Sequence, residues 1–286
     1  QKAPRRIEAV PAVRKLAKDL GVDINRVKGS GPNGRITEED VRKHAEQAQV
    51  SAEDSHGEIE RIPIKRVRRS IAQKMVRSVS SIPHVTHMDR ANASKLVQLK
   101  KQKAEEASGQ KIRLTYLPFV MKAAAFSLKK HPYLNSSIDS ENNEILLKKY
   151  FNIGFAVETD DGLLVPVVKN VDSKSIIELA EETQRLAELT RQRTVELADL
   201  KGGTFSITNI GSIGGLYSTP IINHPEAANL GLGKIQEIPW VHNGEVTVEN
   251  VLYLSLSFDH RILDGAEAAR FLNDVIALLE EPEQLV

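Results

Sequence analysis

The stretch VLYLSLSFDHRILDG, residues 251–265, joins a strongly apolar run to a short polar turn and then to an apolar-periodic segment. The apolar run predicts a buried strand, and the spacing after Gly265 predicts a helix. Asp264, with Glu267 three residues later, resembles a capping box at the start of this helix. His260 therefore has two interpretations: a buried histidine at a strand end, or a general base held rigidly with an exposed nitrogen.

Helical and strand patterns alternate along the chain around this stretch. Helical spacing covers residues 64–78, 94–107, 117–130, 175–190 and 266–281. Strand patterns cover residues 151–157, 163–171, 203–210, 227–235 and 246–258. The alternation is too irregular for a doubly wound parallel sheet. It predicts an α/β sandwich with a mixed sheet.

A smaller helical domain is predicted before the large one, because a length of 286 residues favours about two domains. Residues 5–46 carry two short helical patterns around the loop KGSGPNGR, and Thr37 with Asp40 marks the start of the second helix. Residues 47–60 are polar and lack apolar periodicity, which predicts a flexible linker. The large domain then spans residues 61–286.

Charge and composition narrow the functional classes. Residues 1–47 contain eleven Lys/Arg and seven Asp/Glu, so the small domain is basic although the whole chain has a net charge of +1. Such a domain can meet nucleic acid, membrane or an acidic protein, but it has no aromatic residue to stack on bases. No apolar run approaches the roughly 20 residues that span a bilayer. The absence of Cys excludes disulfides, thiolate metal sites and a cysteine nucleophile.

Cofactor and metal signatures receive no support from the sequence. The pattern GSGPNG, residues 29–34, matches the dinucleotide fingerprint in form, but it lies inside a helical module rather than after a buried strand. We expect a tight turn there instead. His84 and His87 lie three apart on a predicted strand and hence on opposite faces, so they cannot share a metal ion. No metal site is expected.

The segment GGTFSITNIGSIGG, residues 202–215, combines a short alternating strand with a glycine-rich loop. Alternation places Thr204, Ser206 and Thr208 on one face of the strand. A hydroxyl on this face can donate a hydrogen bond to a developing alkoxide. The alternative is a strand whose polar residues face water before a glycine-rich turn.

These motifs together resemble the dihydrolipoyl acyltransferase component of the 2-oxo acid dehydrogenase complexes. The family signature D-H-R-x-x-D-G stands at residues 259–265, and GGTFSITNIGSIGG resembles a second motif. Residues 152–170 (NIGFAVETDDGLLVPVVKN) and 218–233 (STPIINHPEAANLGLG) resemble two more. Residues 5–46 resemble the peripheral subunit-binding domain of such chains. The resemblance implies an α/β catalytic domain like chloramphenicol acetyltransferase, preceded by a small all-α domain.

The resemblance also implies an activity, the transfer of an acyl group from a dihydrolipoyl arm to coenzyme A. Acetyl is the first choice for this group, and branched-chain acyl is the second. His260 is then the general base that takes the proton from the attacking thiol, Thr208 donates to the oxyanion, and Asp264 has an orienting role. The lipoyl group would be carried on an upstream lipoyl domain that is not present in this chain.

Further positions follow from the same resemblance. The coenzyme A contacts correspond to Asn209, Ser212, Gly233 and Ile235, and more weakly to Lys100, Thr115 and Glu158, where relatives carry Arg, Ser and Asp. The partner contacts correspond to Arg14, Lys18 and Arg35, with Lys18 in place of an arginine. Through them residues 5–46 would bind the acidic surface of the 2-oxo acid decarboxylase or of the dihydrolipoamide dehydrogenase.

An assembly and a location are implied as well. The catalytic domain would form homotrimers that build a cubic or dodecahedral shell, with Thr208 and His260 of each active site contributed by different chains. The location would be the cytoplasm of a bacterium or the mitochondrial matrix of a eukaryote. Two alternatives stay open: a noncatalytic scaffold that only docks dihydrolipoamide dehydrogenase, and a free-standing acyltransferase for small acceptors. The intact His260 and Asp264 argue against the scaffold, and the docking domain argues against the free-standing enzyme.

Overall fold

The structure of the chain is a computed structural model that describes residues 9–50, 53–54, 57–64, 66–106, 112–242 and 244–286. The chain divides into two compact units between residues 64 and 65. Each unit has its own hydrophobic core.

The first unit is built on helices α1 (Pro11–Asp19) and α2 (Glu38–Val50), which are joined by a loop with 3₁₀ turns at Ile24–Arg26 and Pro32–Gly34. Strands β1 (Glu53–Asp54) and β2 (Gly57–Glu58) form an antiparallel pair after α2. Apolar side chains from both helices and the loop form the core: Val13, Ala17, Val27, Ile36 and Val41. The predicted linker, residues 47–60, thus includes the end of α2 and both strands. Residues 5–8, 51–52 and 55–56 of these predictions lie outside the described residues.

The Asp40 carboxylate closes the loop between α1 and α2. It accepts hydrogen bonds from the backbone N–H groups of Ser30 at 3.0 Å and Thr37 at 2.9 Å. These donors hold the pKa of Asp40 well below its usual range. The Thr37 hydroxyl in turn accepts from the Asp40 N–H at 3.3 Å, so the predicted capping box is confirmed. A Cβ on Gly29 would lie 2.2 Å from the Gly34 carbonyl oxygen, so the loop can close this tightly only with a glycine at this position.

A mixed sheet of six strands forms the centre of the described part of the second unit. The strands of this unit are β3 (His84–Asn92), β4 (Ser136–Asp139), β5 (Glu144–Leu147), β6 (Ile153–Phe155), β7 (Val157–Thr159), β8 (Gly162–Leu164), β9 (Val167–Val168), β10 (Phe205–Asn209), β11 (Ala228–His242) and β12 (Glu245–Asp259). The sheet order is β3-β12-β11-β10-β6-β9, with β10 parallel to β6 and β11 and the other neighbours antiparallel. Strands β4 with β5, and β7 with β8, form separate hairpins. The predicted mixed-sheet architecture is confirmed.

The helices of the second unit are α3 (Arg66–Ser81), α4 (Ser94–Glu106), α5 (Leu117–Lys130), α6 (Ile176–Arg191) and α7 (Gly265–Glu280). Helix α7 packs against α5 and β3. The core that they share with the sheet includes the alternating apolar residues of β12, which are Leu252, Leu254, Leu256 and Phe258. The intervening Ser255 and Ser257 are also buried, and the Ser257 hydroxyl lies 2.8 Å from that of Thr86. Strand β12 is therefore buried on both faces from residue 251 onward.

A buried carboxyl, Glu226, lies beneath β10 in the segment that leads into β11. Its Oε1 accepts a hydrogen bond from the Asn223 amide at 2.7 Å, and the same amide nitrogen lies 3.3 Å from the Ser206 hydroxyl oxygen. Oε2 has no hydrogen-bond partner within the part of the chain that the structure describes. Burial raises the pKa of Glu226 to about 7, against the lowering effect of the hydrogen bonds from Ser206 and Asn223.

We expect Glu226→Gln to stabilise the second unit above neutral pH. The folded chain holds the proton more tightly than the unfolded chain, so the parent loses stability as the pH rises from about 4.5 to about 7. The variant has no such loss and should exceed the parent at pH 8 by up to about 3 kcal/mol, with the two converging near pH 4.5. Chemical denaturation at both pH values checks this, with Glu181→Gln as an exposed control. A difference that is the same at both pH values would contradict the burial argument.

Candidate active site

His260 is the first residue after β12 and is exposed to solvent. Its backbone N–H donates to the Pro83 carbonyl oxygen at 3.1 Å, which ties the turn to the residue before β3. The imidazole lies against the Phe258 ring, with centroids 5.8 Å apart. The interpretation of His260 as a buried histidine is therefore wrong. The side chain is accessible and stands on a rigid strand end, as a general base requires.

The two residues that flank His260, Asp259 and Arg261, form an ion pair that holds the turn. Asp259 is buried, and its two carboxylate oxygens accept hydrogen bonds from the Arg261 guanidinium at 2.9 and 2.6 Å. Oδ1 also accepts the Arg261 backbone N–H at 3.0 Å. These bonds to Asp259 raise the pKa of Arg261 above its ordinary value. Sequence reasoning missed this role, although the acidic and basic residues flanking the histidine were the available signal.

Asp264 occupies the N-cap position of α7 and is exposed, but its side chain makes no capping hydrogen bond. The predicted capping box is wrong, because Glu267 faces another partner. Its Oε1 lies 2.8 Å from Nδ1 of the buried His131, whose Nε2 is 3.1 Å from Asp274. A carboxylate that pairs with a buried imidazole is not available to the backbone N–H of the exposed helix end. The orienting role of Asp264 stays a prediction.

Thr208 lies near the end of β10 and is half-buried, and its hydroxyl donates to the Asn229 amide oxygen at 3.2 Å. Thr204 and Ser206 share its face but are buried. The Thr204 hydroxyl bonds to the Asn152 backbone, and Ser206 meets the network around Glu226. The alternative of polar residues that face water is wrong for these two. Thr208 lines a cavity next to the end of β10.

The sheet register keeps Thr208 and His260 apart within one chain. Thr208 pairs with Gly231, which pairs with Ser255. His260 lies five residues beyond Ser255, about 16.5 Å along the strand, and two strand spacings add about 9.5 Å across the sheet. The two backbone positions are therefore about 19 Å apart in a single chain.

The residues predicted to contact coenzyme A line two neighbouring cavities. One, of about 530 Å³, is lined by six of the seven: Lys100, Thr115, Asn209, Ser212, Gly233 and Ile235. The other, of about 880 Å³, is lined by Glu158 and Thr208, and Asn209 and Ser212 border both. The loop after β10 packs closely on β11 here, since a Cβ on Gly233 would lie 1.8 Å from the Leu216 carbonyl oxygen.

Cationic side chains surround the smaller cavity. Arg113 and Lys234 line it together with Lys100, whose ammonium lies 5.7 Å from the centroid of the Tyr116 ring. Partial burial raises the pKa of Tyr116, so the ring is present as the neutral phenol. Three cations around one cavity fit a ligand with several phosphate groups. Sequence reasoning missed Arg113 and Lys234, although each lies next to a predicted contact segment.

The predicted partner contacts lie on the first unit. Arg14 and Lys18 are exposed one turn apart on α1, and Arg35 is exposed after the second 3₁₀ turn. The Arg14 Nε donates to the Ala9 carbonyl oxygen at 3.3 Å. In the described ranges, no helix has the length and apolar character to cross a membrane, and no group of three His, Asp or Glu side chains is placed to hold a metal ion.

Comparison with known proteins gives matches over both units. The family model described as 2-oxoacid dehydrogenases acyltransferase (catalytic domain) matches residues 56–286, and the model described as e3 binding domain matches residues 7–42. A relative from Bacillus subtilis (strain 168) is described as the dihydrolipoyllysine-residue acetyltransferase component of pyruvate dehydrogenase complex. It is 44% identical over 99% of this chain and 68% of its own length.

Solved structures match the second unit. The dihydrolipoamide acetyltransferase of Azotobacter vinelandii is 40% identical, with a TM-score of 0.78 over 80% of this chain and 95% of that one. A structure described as the cubic core of the pyruvate dehydrogenase multienzyme complex matches with the same identity, TM-score and coverage.

Proposed function

Because the chain belongs to the family of 2-oxoacid dehydrogenase acyltransferases and moves an acyl group between a dihydrolipoyl arm and coenzyme A, we propose that His260 is the general base of this transfer and that the acyl group is acetyl. The observation that carries the proposal is the accessible imidazole at a strand end that the Asp259–Arg261 pair and the Pro83 carbonyl hold in place. The acetyl group is the one named for the relatives that match 99% of the chain.

The proposed chemistry needs a base because a free thiol, with a pKa near 8.5, is only a few per cent thiolate at neutral pH. His260 takes the proton of the attacking thiol, and the sulfur forms a bond to the thioester carbon. The tetrahedral oxyanion then expels the other sulfur, which receives the proton from His260. A positioned base of this kind contributes about 10²–10⁴-fold to the rate.

Thr208 supplies the hydrogen bond to the oxyanion in this proposal. One such donor stabilises a transition state by about 2.7–4 kcal/mol. Since Thr208 and His260 of one chain lie about 19 Å apart, the donor beside each His260 comes from a neighbouring chain. This supports an assembly of at least two chains as the active form, and a trimer is the arrangement that the family resemblance implies. The trimers build a larger core, as in the cubic core that the catalytic unit matches.

The two cavities beside β10 and β11 accommodate coenzyme A. Lys100, Arg113 and Lys234 hold its phosphates, and the shared border at Asn209 and Ser212 leads toward Thr208. The dihydrolipoyl arm is the second substrate and comes from a lipoyl domain outside residues 1–286. Neither substrate needs a covalent intermediate on the protein.

The first unit docks the dihydrolipoamide dehydrogenase, in accordance with its match to the e3 binding domain. Arg14, Lys18 and Arg35 supply exposed cations for an acidic partner surface, which can be that of this enzyme or of the decarboxylase. Charge complementarity of this kind speeds association and makes binding sensitive to salt.

We expect His260→Ala to lower kcat for acetyl transfer from acetyl coenzyme A to free dihydrolipoamide by about 10²–10⁴-fold. Both KM values should stay within a few-fold, because the base contacts the reacting proton rather than the bulk of either substrate. His87→Ala, on neighbouring strand β3, is the control. A near-normal rate would end the base assignment, and a parent protein without turnover would favour the scaffold function.

Arg113→Gln and Lys234→Gln should each raise KM for coenzyme A about fivefold or more and leave kcat within twofold. A lost charged contact to a phosphate weakens ground and transition states equally, so the loss falls on KM. Steady-state kinetics with varied coenzyme A measures this, with Lys101→Gln on the exposed side of α4 as the control. An unchanged KM would remove these cations from the coenzyme A site.

Charge reversal at both Arg14 and Arg35 to Glu should weaken binding of dihydrolipoamide dehydrogenase at least tenfold and leave acetyl transfer to free dihydrolipoamide unchanged. Like charges facing the acidic partner surface oppose association. Surface plasmon resonance at two salt concentrations provides the measurement, and Lys43→Glu on α2 is the control. Unchanged affinity would place the docking surface elsewhere.

A further inference from the structure

Asn229 is a buried amide that reaches the Thr208 hydroxyl from the neighbouring strand. It lies on β11 two residues before Gly231, the residue directly opposite Thr208. A Cβ on Gly231 would lie 2.8 Å from the Ser218 hydroxyl oxygen, so only a glycine leaves room for the side chains that pack on this face. The Asn229 side chain is only 5% exposed, and its Oδ1 lies 3.2 Å from the Thr208 Oγ1.

The orientation of the Asn229 amide is fixed by a second contact. Its Nδ2 donates to the Ile221 carbonyl oxygen at 2.8 Å. A carbonyl can only accept, so the amide nitrogen must face Ile221 and the amide oxygen must face Thr208. The hydrogen between Asn229 and Thr208 therefore belongs to the threonine hydroxyl.

This bond selects one of the side-chain rotamers of Thr208. Threonine is β-branched, and rotation about χ1 exchanges the positions of its hydroxyl and its methyl group. With the Asn229 oxygen on one side, the rotamer that places the hydroxyl there is favoured over the rotamers that place the methyl there. The oxygen of Thr208 is then held at a fixed point beside the larger cavity.

We propose that Asn229 is a positioning residue that holds the Thr208 hydroxyl ready to donate to the oxyanion of the acyl transfer. This inference rests on the proposed function of Thr208. As charge develops, the hydroxyl hydrogen turns from the Asn229 oxygen to the oxyanion by rotation about the Cβ–Oγ1 bond, while the oxygen stays in place. A hydrogen bond to a charged acceptor is roughly twice as strong as a neutral one, so the exchange favours the transition state over the ground state.

A double-mutant cycle tests this inference on the assembled protein, with acetyl transfer to free dihydrolipoamide as the assay. In the parent, Asn229→Ala should lower kcat about tenfold with both KM values within twofold. In a Thr208→Val background, which has no hydroxyl to position, the same change should alter kcat less than twofold. A tenfold loss that persists in the Thr208→Val background would overturn the inference.

Further variants separate positioning from general loss of structure. Asn229→Val retains bulk and strand propensity but has no acceptor, so it should give the same cycle as Asn229→Ala. Asn223→Ala is the control, because it removes a side-chain amide that contacts Ser206 and Glu226 rather than Thr208. Its effect on kcat should be additive with that of Thr208→Val. If Thr208→Val alone leaves kcat unchanged, the proposed role of Thr208 fails and this inference with it. If Thr208→Val lowers kcat but the cycle with Asn229 is additive, the role of Thr208 stands and only the inference on Asn229 fails.

Discussion

The burial of β12 between β3 and β11 fixes the position of His260, the proposed general base. Every residue of β12 from 251 to 259 is buried, so its backbone groups must be paired in the ladder and the strand cannot slip by one residue. Asp259 ends the strand and binds Arg261, and the Pro83 carbonyl accepts the next backbone N–H. His260 consequently emerges into solvent at a point that the core determines.

The same sheet also positions the cavities of the proposed coenzyme A site. Strand β10 pairs in parallel with β11 and ends at Asn209, opposite Leu232, so the loop that follows β10 lies beside the continuing part of β11. The close approach of Gly233 to the Leu216 carbonyl brings the glycine-rich loop onto β11. Contacts that are far apart in sequence, such as Thr115 and Ser212, thereby line one cavity. The glycines serve this packing, as those of the 29–34 loop serve closure around Asp40 in the first unit.

Sequence alone could predict the elements whose burial is periodic. Helix α5 has the predicted bounds, because ten of its 14 residues are buried, most of them apolar, and Pro118 stands in its first turn. Strands β4 and β5 were not predicted, since all residues of β5 are exposed and the hairpin depends on backbone pairing rather than on an apolar face. The capping box at Asp264 was wrong because its competitor, His131, lies 136 positions from Glu267. Arg113 and Lys234 were missed for a related reason: a single sequence does not reveal which of many cations face a cavity.

The separation of about 19 Å between Thr208 and His260 has a consequence for how activity arises. Thr208 belongs to the continuous ladder through β10, β11 and β12, and His260 directly follows it, so no local motion can bring them together without breaking buried backbone hydrogen bonds. Each broken bond would leave polar groups unpaired in the core, at about 1–3 kcal/mol apiece. Rigidity within the chain and the proposed catalysis between chains thus both follow from the same sheet. The proposed base at one end and the proposed hydroxyl donor at the other can serve one reaction only when a second chain presents its own edge. The proposed chemistry therefore requires assembly.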